Sequence, residues 1–167
     1  MRHVVSILIE NEAGALSRVV GLFSQRGYNI ESLSVAPTED PTLSRCTILT
    51  LGDPDEAEQI TKQLHKLVDV LRVSEYDEEN IGSLERELVL MKMPTPNRQI
   101  REEIRSLCQI FNARIIDVTP ELYTLEYVGS SSEVDNFVET LSKCSDVLET
   151  VRSGVLGIAK GNHYMHS

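Results

Sequence analysis

The stretch His3–Ala36, HVVSILIENEAGALSRVVGLFSQRGYNIESLSVA, decides the fold. Its opening, His3–Ile9, is a short apolar run rich in β-branched residues, the composition of a strand. Leu16, Val19, Val20 and Phe23 then recur at i, i+3, i+4 and i+7, which is one face of an amphipathic helix ending at Gly27. Asn29–Ala36 alternates, with Ile30, Leu33 and Val35 apolar, and reads as the next strand. Working outward, PTEDPTLS is a turn-rich connection and Arg45–Leu51 a third strand. Asp53-Pro54-Asp55-Glu56 predicts a helix start: Asp caps, Pro has no amide to leave unpaired, and Glu56 completes a capping box. Ala57, Ile60, Leu64 and Leu67 form its apolar face, and Val70–Val73 closes a βαββαβ unit.

The polar, acidic segment Tyr76–Ser83 reads as an interdomain linker, after which the order repeats. Leu84–Met93 is a strand and Thr95-Pro96 a helix start, with Ile100, Ile104, Leu107 and Phe111 on one side. Strands follow at Ala113–Val118 and Leu122–Val128, then a Ser-capped helix carrying Val134, Phe137, Val138 and Leu141. Val147–Ile158 holds the last strand or strands. Shifted by 83, Asn29, Val35 and Pro37 fall on Asn112, Val118 and Pro120. Shifted by 77, Thr47, Gly52, Leu64, Asp69, Val70 and Leu71 fall on Thr124, Gly129, Leu141, Asp146, Val147 and Leu148. A duplication is the economical reading. The expected fold class is α+β, two tandem ferredoxin-like βαββαβ domains: residues 1–76, a linker at 77–83, and residues 84–167 with a short tail. Each sheet would leave one face bare of helices, which favours a homo-oligomer.

Composition narrows the function. The chain has 167 residues, 41% of them hydrophobic and 25% charged, and carries a net charge of −10. That balance argues against a phosphate backbone or an anionic membrane as partner, and with aromatics at 5% and no Trp there is little to stack on bases. No run approaches the roughly 20 apolar residues of a membrane span. The three cysteines, Cys46, Cys108 and Cys144, are widely spaced and odd in number, as in a reduced cytoplasmic protein. Phosphate-loop, dinucleotide and nucleophile-elbow patterns are missing. His163 and His166 form an H-x-x-H in the tail, read as a frayed end and not as a metal site. His3 and His65 are isolated, the latter at the polar edge of a helix. The sequence describes a binder with no catalytic and no metal-ligating residues.

One loop has binding logic. Asn11-Glu12-Ala13-Gly14-Ala15-Leu16 leads into the first helix, whose amides suit a carboxylate. Gly14 permits close backbone approach, Ala15 adds little bulk, and the Asn11 side-chain oxygen suits an ammonium. The alternative is that Asn11 merely caps the helix and Gly14 merely turns the chain. Asn29, after Gly27-Tyr28, stands where Asn is common in turns.

The run Asn11–Arg45, NEAGALSRVVGLFSQRGYNIESLSVAPTEDPTLSR, resembles the ACT domain of the small, regulatory subunits of acetohydroxyacid (acetolactate) synthase. KQLHKLVDVLRV at Lys62–Val73, IIDVTPELYT at Ile115–Thr124 and RSGVLG near the end resemble that family too, so the likeness spans the chain. It implies an N-terminal ACT domain and a C-terminal ACT-like domain. The implied subunit is non-catalytic: it activates the catalytic large subunit and confers feedback inhibition by valine. Thiamine diphosphate, Mg and FAD would belong to that large subunit, and none to this one. The resemblance further implies a homodimer through the ACT domains, with L-valine at the interface. Asn11 and the backbone of Gly14, Ala15 and Leu16 would hold it from one protomer, Asn29 and Ile30 from the other. The second half has Met93-Pro94-Thr95-Pro96 where the N-x-x-G-x-L loop would be, so effector binding is expected only in the first.

Overall fold

The computed structural model describes residues 1–76 and 82–165. The first unit contains β1 (Arg2–Glu10), α1 (Ala15–Gln25), β2 (Asn29–Pro37), β3 (Leu43–Leu51), α2 (Pro54–His65) and β4 (Val70–Tyr76). The second half contains β5 (Ser83–Pro94), α3 (Arg98–Phe111), β6 (Arg114–Val118), β7 (Leu122–Gly129), α4 (Ser131–Cys144) and β8 (Glu149–Arg152), and β9 (Leu156–Ala159) follows. The sheets are antiparallel, with strand orders β2-β3-β1-β4 and β6-β7-β5-β8; β9 pairs with β5. These are the two expected βαββαβ units.

Alternation along the central strands sorts the residues between the faces. In the first unit Val5, Ile7 and Ile9 of β1 and Cys46 and Ile48 of β3 pack with Val19 and Phe23 of α1 and Ile60 and Leu64 of α2. In the second, Val89, Met91 and Met93 meet Leu125, Tyr127, Ile104, Cys108, Phe137 and Leu141. Phe137 sits edge-on to Tyr127 at 4.6 Å and to Phe111 at 5.3 Å between ring centres, geometry that adds to area burial.

The helix starts follow local chemistry. α2 has the capping box expected of Asp53 and Glu56, and α4 the same device in Ser130 and Glu133. The Glu133 carboxylate is held below its ordinary pKa by hydrogen bonds from Ser130, backbone first. α3 begins later than Thr95-Pro96 suggests: Asn97 is its cap, its side chain accepting from the Ile100 amide. The alternating prolines keep Pro94–Pro96 extended, and Thr95 is buried with its amide donating to the Glu121 carbonyl.

Three expectations need adjustment. Gly27 and Asn112 are the left-handed residues closing α1 and α3, at φ 72° and 58°. Asn112 therefore corresponds to Gly27, and the residue shift at this point is 85, not the 83 that matched Asn29 to Asn112. The register agrees, since β2 and β6 carry their irregularity at Glu31 and Ile116. The 77-residue shift holds at α2 and α4, where Asp53 matches Ser130 and Leu64 matches Leu141.

The second adjustment concerns boundaries. The compact units are Met1–Leu84 with Val155–Ser167, and Glu85–Gly154. The tail placed with residues 84–167 thus belongs with the first unit. Most of the linker, 77–81, lies outside the described residues, and Ser83 already belongs to β5.

The third concerns the bare sheet face. Val4, Ser6 and Leu8, on the side of β1 away from the helices, are buried. Val155–Ala159 crosses that face: Gly157 lies against Val4 and Tyr76, and the Val155 amide reaches Ser32 Oγ at 3.4 Å. In the second unit Val128 and Val151 remain exposed on the corresponding face.

Candidate functional site

The loop between β1 and α1 is built by its backbone. The Asn11 amide donates to the Thr42 carbonyl (2.8 Å) and its Nδ2 to the Pro41 carbonyl (3.0 Å), tying the loop to the β2–β3 connection. Asn11 therefore does not cap the helix. Its Oδ1 accepts nothing from the described residues and stays available to a donor. The cap position is taken by Gly14 at φ 87°, and no side chain accepts from the first turn of α1. This is left-handed backbone that a side chain strains, so glycine is required at the helix mouth. The Ala15 amide donates to the Glu12 carbonyl at 3.2 Å, and beyond it the helix presents first-turn N–H groups that no side chain caps, with the positive end of its dipole. Ala15 is buried beneath, while Asn11–Gly14 are exposed.

Two charged residues near this mouth escaped the sequence reading. Arg18, one turn into α1, pairs through Nε with the buried carboxylate of Asp69, just before β4. A Cβ added to Gly14 would meet Arg18 Nη1 at 2.9 Å, so the guanidinium lies directly over the glycine. The Asp69 hydrogen bond, reinforced by Asp69 and Glu12 charge, raises the pKa of Arg18. The carboxylates of Glu10, Glu12 and Asp69 come within 4.8 Å of one another, and the cation among them is this guanidinium. The only hint in the sequence was Asp69, which recurs as Asp146 in the internal repeat.

Asn29 and Ile30 are elsewhere in the same protomer. Asn29 opens β2 opposite Leu51, whereas Glu10, beside Asn11, lies opposite Leu43. Eight residues of β3 separate the two ends, roughly 26 Å at 3.3 Å per residue. Asn29 is exposed, with Nδ2 donating to Glu31 Oε1 (2.5 Å) and its carbonyl accepting from Thr50 Oγ1 (2.6 Å). Ile30 packs against the core of the first unit. One protomer therefore brings together Asn11, Gly14, Ala15 and Leu16 but not Asn29 and Ile30. β2 is an edge strand, hydrogen-bonded only to β3 within its sheet.

Of the histidines, His3 is buried, with Nδ1 2.6 Å from Glu75 Oε1 and Nε2 3.0 Å from the Gly52 carbonyl, holding β1, β3 and β4 together at one end. His65 is exposed on α2 and His163 is exposed, while His166 is outside the described residues. No helix among the described residues is long and apolar enough to cross a membrane.

Residues 5–72 match the family model described as the acetolactate synthase (AHAS) small subunit-like ACT domain, and residues 86–161 match that of the small subunit of acetolactate synthase. The chain is 54% identical over 165 residues to the acetolactate synthase isozyme 3 small subunit of Salmonella typhimurium, covering 99% of each. The chain belongs to the acetolactate synthase small-subunit family. Its likeness to the Haemophilus influenzae acetolactate synthase small subunit is 52% over 161 residues, covering 96% of this chain and 97% of that one. The crystal structure of the Thermotoga maritima acetolactate synthase small subunit superposes with a TM-score of 0.87 at 38% identity, covering 98% of this chain and 99% of the other. Family membership assigns the chain to branched-chain amino-acid biosynthesis, with an ACT domain as its first unit.

Proposed function

We propose that this protein is the regulatory subunit of acetolactate synthase, working in the cytoplasm: it activates the catalytic large subunit and makes it sensitive to feedback inhibition by L-valine. The observation that carries the reading is the uncapped mouth of α1, closed by left-handed Gly14 and flanked by Asn11 with a free Oδ1. An α-amino acid needs this combination: amide donors for its carboxylate, an oxygen acceptor for its ammonium and little side-chain bulk nearby. Thiamine diphosphate, Mg and FAD are assigned to the large subunit.

The separation of Asn29 from Asn11 supports a homodimer. β2 has an unpaired edge, and two copies joined antiparallel about its middle place Asn29 of one opposite Pro37 of the other. Pro37 pairs with Ser44, beside the Pro41–Thr42 turn that holds Asn11. Such pairing brings Asn29 and Ile30 of one protomer to the Asn11 loop of its partner, completing a pocket that neither holds alone. Valine would then strengthen the dimer, and it inhibits only if it favours the inhibited arrangement.

Calorimetric titration of the chain with L-valine, with D-valine as control, tests the pocket, and reconstitution with the large subunit tests the regulation. Stereoselective heat and valine-dependent inhibition are expected. A chain that binds neither enantiomer, alone or in the complex, would overturn the effector assignment.

A further inference from the structure

We propose that Arg45 is a positioning residue for this regulation: it latches the C-terminal segment onto the helix-free face of the first sheet, and the segment carries the effect of ligand binding onward. The inference rests on the regulatory reading above. Arg45 lies on β3, opposite Leu8 of β1 and Ala36 of β2, next to the end of β2 where the proposed pocket forms. Its Nη2 donates to the Gly157 carbonyl at 2.8 Å, to the Tyr76 hydroxyl at 2.6 Å and to Ser6 Oγ at 3.1 Å. One guanidinium nitrogen thus joins β1, β3, β4 and β9. Ser6 is fully buried and Gly157 is seated so closely on Tyr76 that a Cβ would stand 3.3 Å from the ring.

Two features make this a latch and not a permanent weld. All three acceptors are neutral, so releasing the guanidinium to water forfeits no ion pair. The segment's other bond to this face is the long 3.4 Å contact between the Val155 amide and Ser32 Oγ, and Ser32 belongs to β2 itself. Both attachments therefore depend on the positions of β2 and β3. Upstream, only Ser153 and Gly154 separate Val155 from Arg152, which is clamped by Glu87 and Asp135 in the second unit. A displacement of β2 and β3 that withdraws Arg45 and Ser32 releases the segment from this face, while its pairing with β5 and the Lys160 amide on the Gly82 carbonyl persist. The test separates ligand binding from its consequence.

The experiment compares Arg45→Ala and Arg45→Lys with the unaltered full-length chain, free and reconstituted with the large subunit. For Arg45→Ala, exchange of the Val155 amide, which faces Ser32 on this sheet, should accelerate at least tenfold. Valine affinity of the free chain should stay within about threefold, activation should persist, and the half-inhibitory valine concentration should rise at least tenfold. Arg45→Lys, keeping charge and part of the reach, should fall between. Gly157→Val, which wedges the segment off Tyr76 while leaving Arg45 intact, must reproduce the loss of inhibition and covers the case in which Arg45→Ala does not fold. Faster exchange with unchanged inhibition would overturn the proposal, as would inhibition lost together with valine binding. Exchange is read without ligand, so a Val155 amide that exchanges no faster refutes the latch whatever valine does. Failure of the unaltered chain to bind valine refutes the regulatory reading instead.

Discussion

Gly14→Asp is the sharpest test of the proposed pocket because its costs can be worked separately. Gly14 has φ 87°, and placing a non-glycine residue there costs about 1–2 kcal/mol of folding stability. Aspartate recovers part of this, since an acid at a helix start contributes about 0.3–1 kcal/mol, while the new Cβ, 2.9 Å from Arg18 Nη1, obliges the guanidinium to shift. The net loss of about 1 kcal/mol should leave the variant folded. Binding is another matter. The new carboxylate occupies the helix mouth, and a ligand carboxylate about 4 Å away is opposed by about 4 kcal/mol at an effective dielectric of 20 and about 1 kcal/mol in bulk water. Because the mouth is exposed, a value between these limits applies, before counting the amide donors already taken. The expected result is at least a tenfold rise in valine dissociation constant by calorimetry, with inhibition abolished and activation of the large subunit retained. Gly14→Ala carries the same backbone strain without charge and should change affinity less than fivefold. Unchanged affinity in Gly14→Asp would mean that the ligand carboxylate lies elsewhere. An equal loss in both variants would mean that backbone strain, not charge, is responsible.

Sedimentation at micromolar chain should show L-valine, and not D-valine, tightening the dimer; tightening by both, or by neither while L-valine binds, would exclude a pocket shared across β2 edges. Ser130→Ala removes the cap of α4 and should cost about 1 kcal/mol by denaturant unfolding. Phe137→Ala, at the centre of the aromatic cluster, should cost about 3–5 kcal/mol and leave valine binding by the first unit measurable. Burial pushes the Cys46 thiol up to about 12 and Cys108 to about 11; Cys144 also rises to about 11, through burial and its contact with Glu103. A raised pKa favours the neutral thiol, so at pH 8 the thiolate is on the order of 100-fold scarcer than at an unperturbed cysteine for Cys108 and Cys144, and on the order of 1,000-fold for Cys46. Alkylation of the native protein should be correspondingly slow and accelerate on unfolding; fast native labelling would contradict the burial.

The elements were legible because their signals are local. Period-2 and period-3.6 patterns mark Val5, Ile7, Ile9, Val19 and Phe23 as facing a common core, and the two capping boxes lie within four residues each. The loop from Asn11 to Leu16 was legible for the same reason. What escaped was long-range. Arg18 meets Asp69 across 51 residues and Arg45 meets Gly157 across 112, and no pattern in either segment announces such a partner. The repeat misled at Asn112 because identity of residue type was matched where identity of backbone conformation mattered: the structure needs a left-handed residue there, and glycine in one copy and asparagine in the other both supply it. The bare sheet face was expected because the helices account for only one side, and the strand that crosses it comes from the far end of the chain.

That strand makes the duplicated units differ in how their helix-free faces are covered. In a ferredoxin-like unit with one open face, the face can pair with a partner or be covered from within. The first unit is covered from within by Val155–Ala159, and β2 keeps an unpaired edge, where the proposed dimer forms. An edge contact depends on strand position, and beside its pairing with β5 the cover is bonded to Arg45 and Ser32 of β3 and β2, the strands that set that position. On the proposed latch, a ligand that orders the edge also alters the hold of this sheet on the tail. Were the cover fastened only to β1 and β4, at the far side of the sheet, ligand at the β2 edge and the C-terminal segment would have no shared strand through which to communicate.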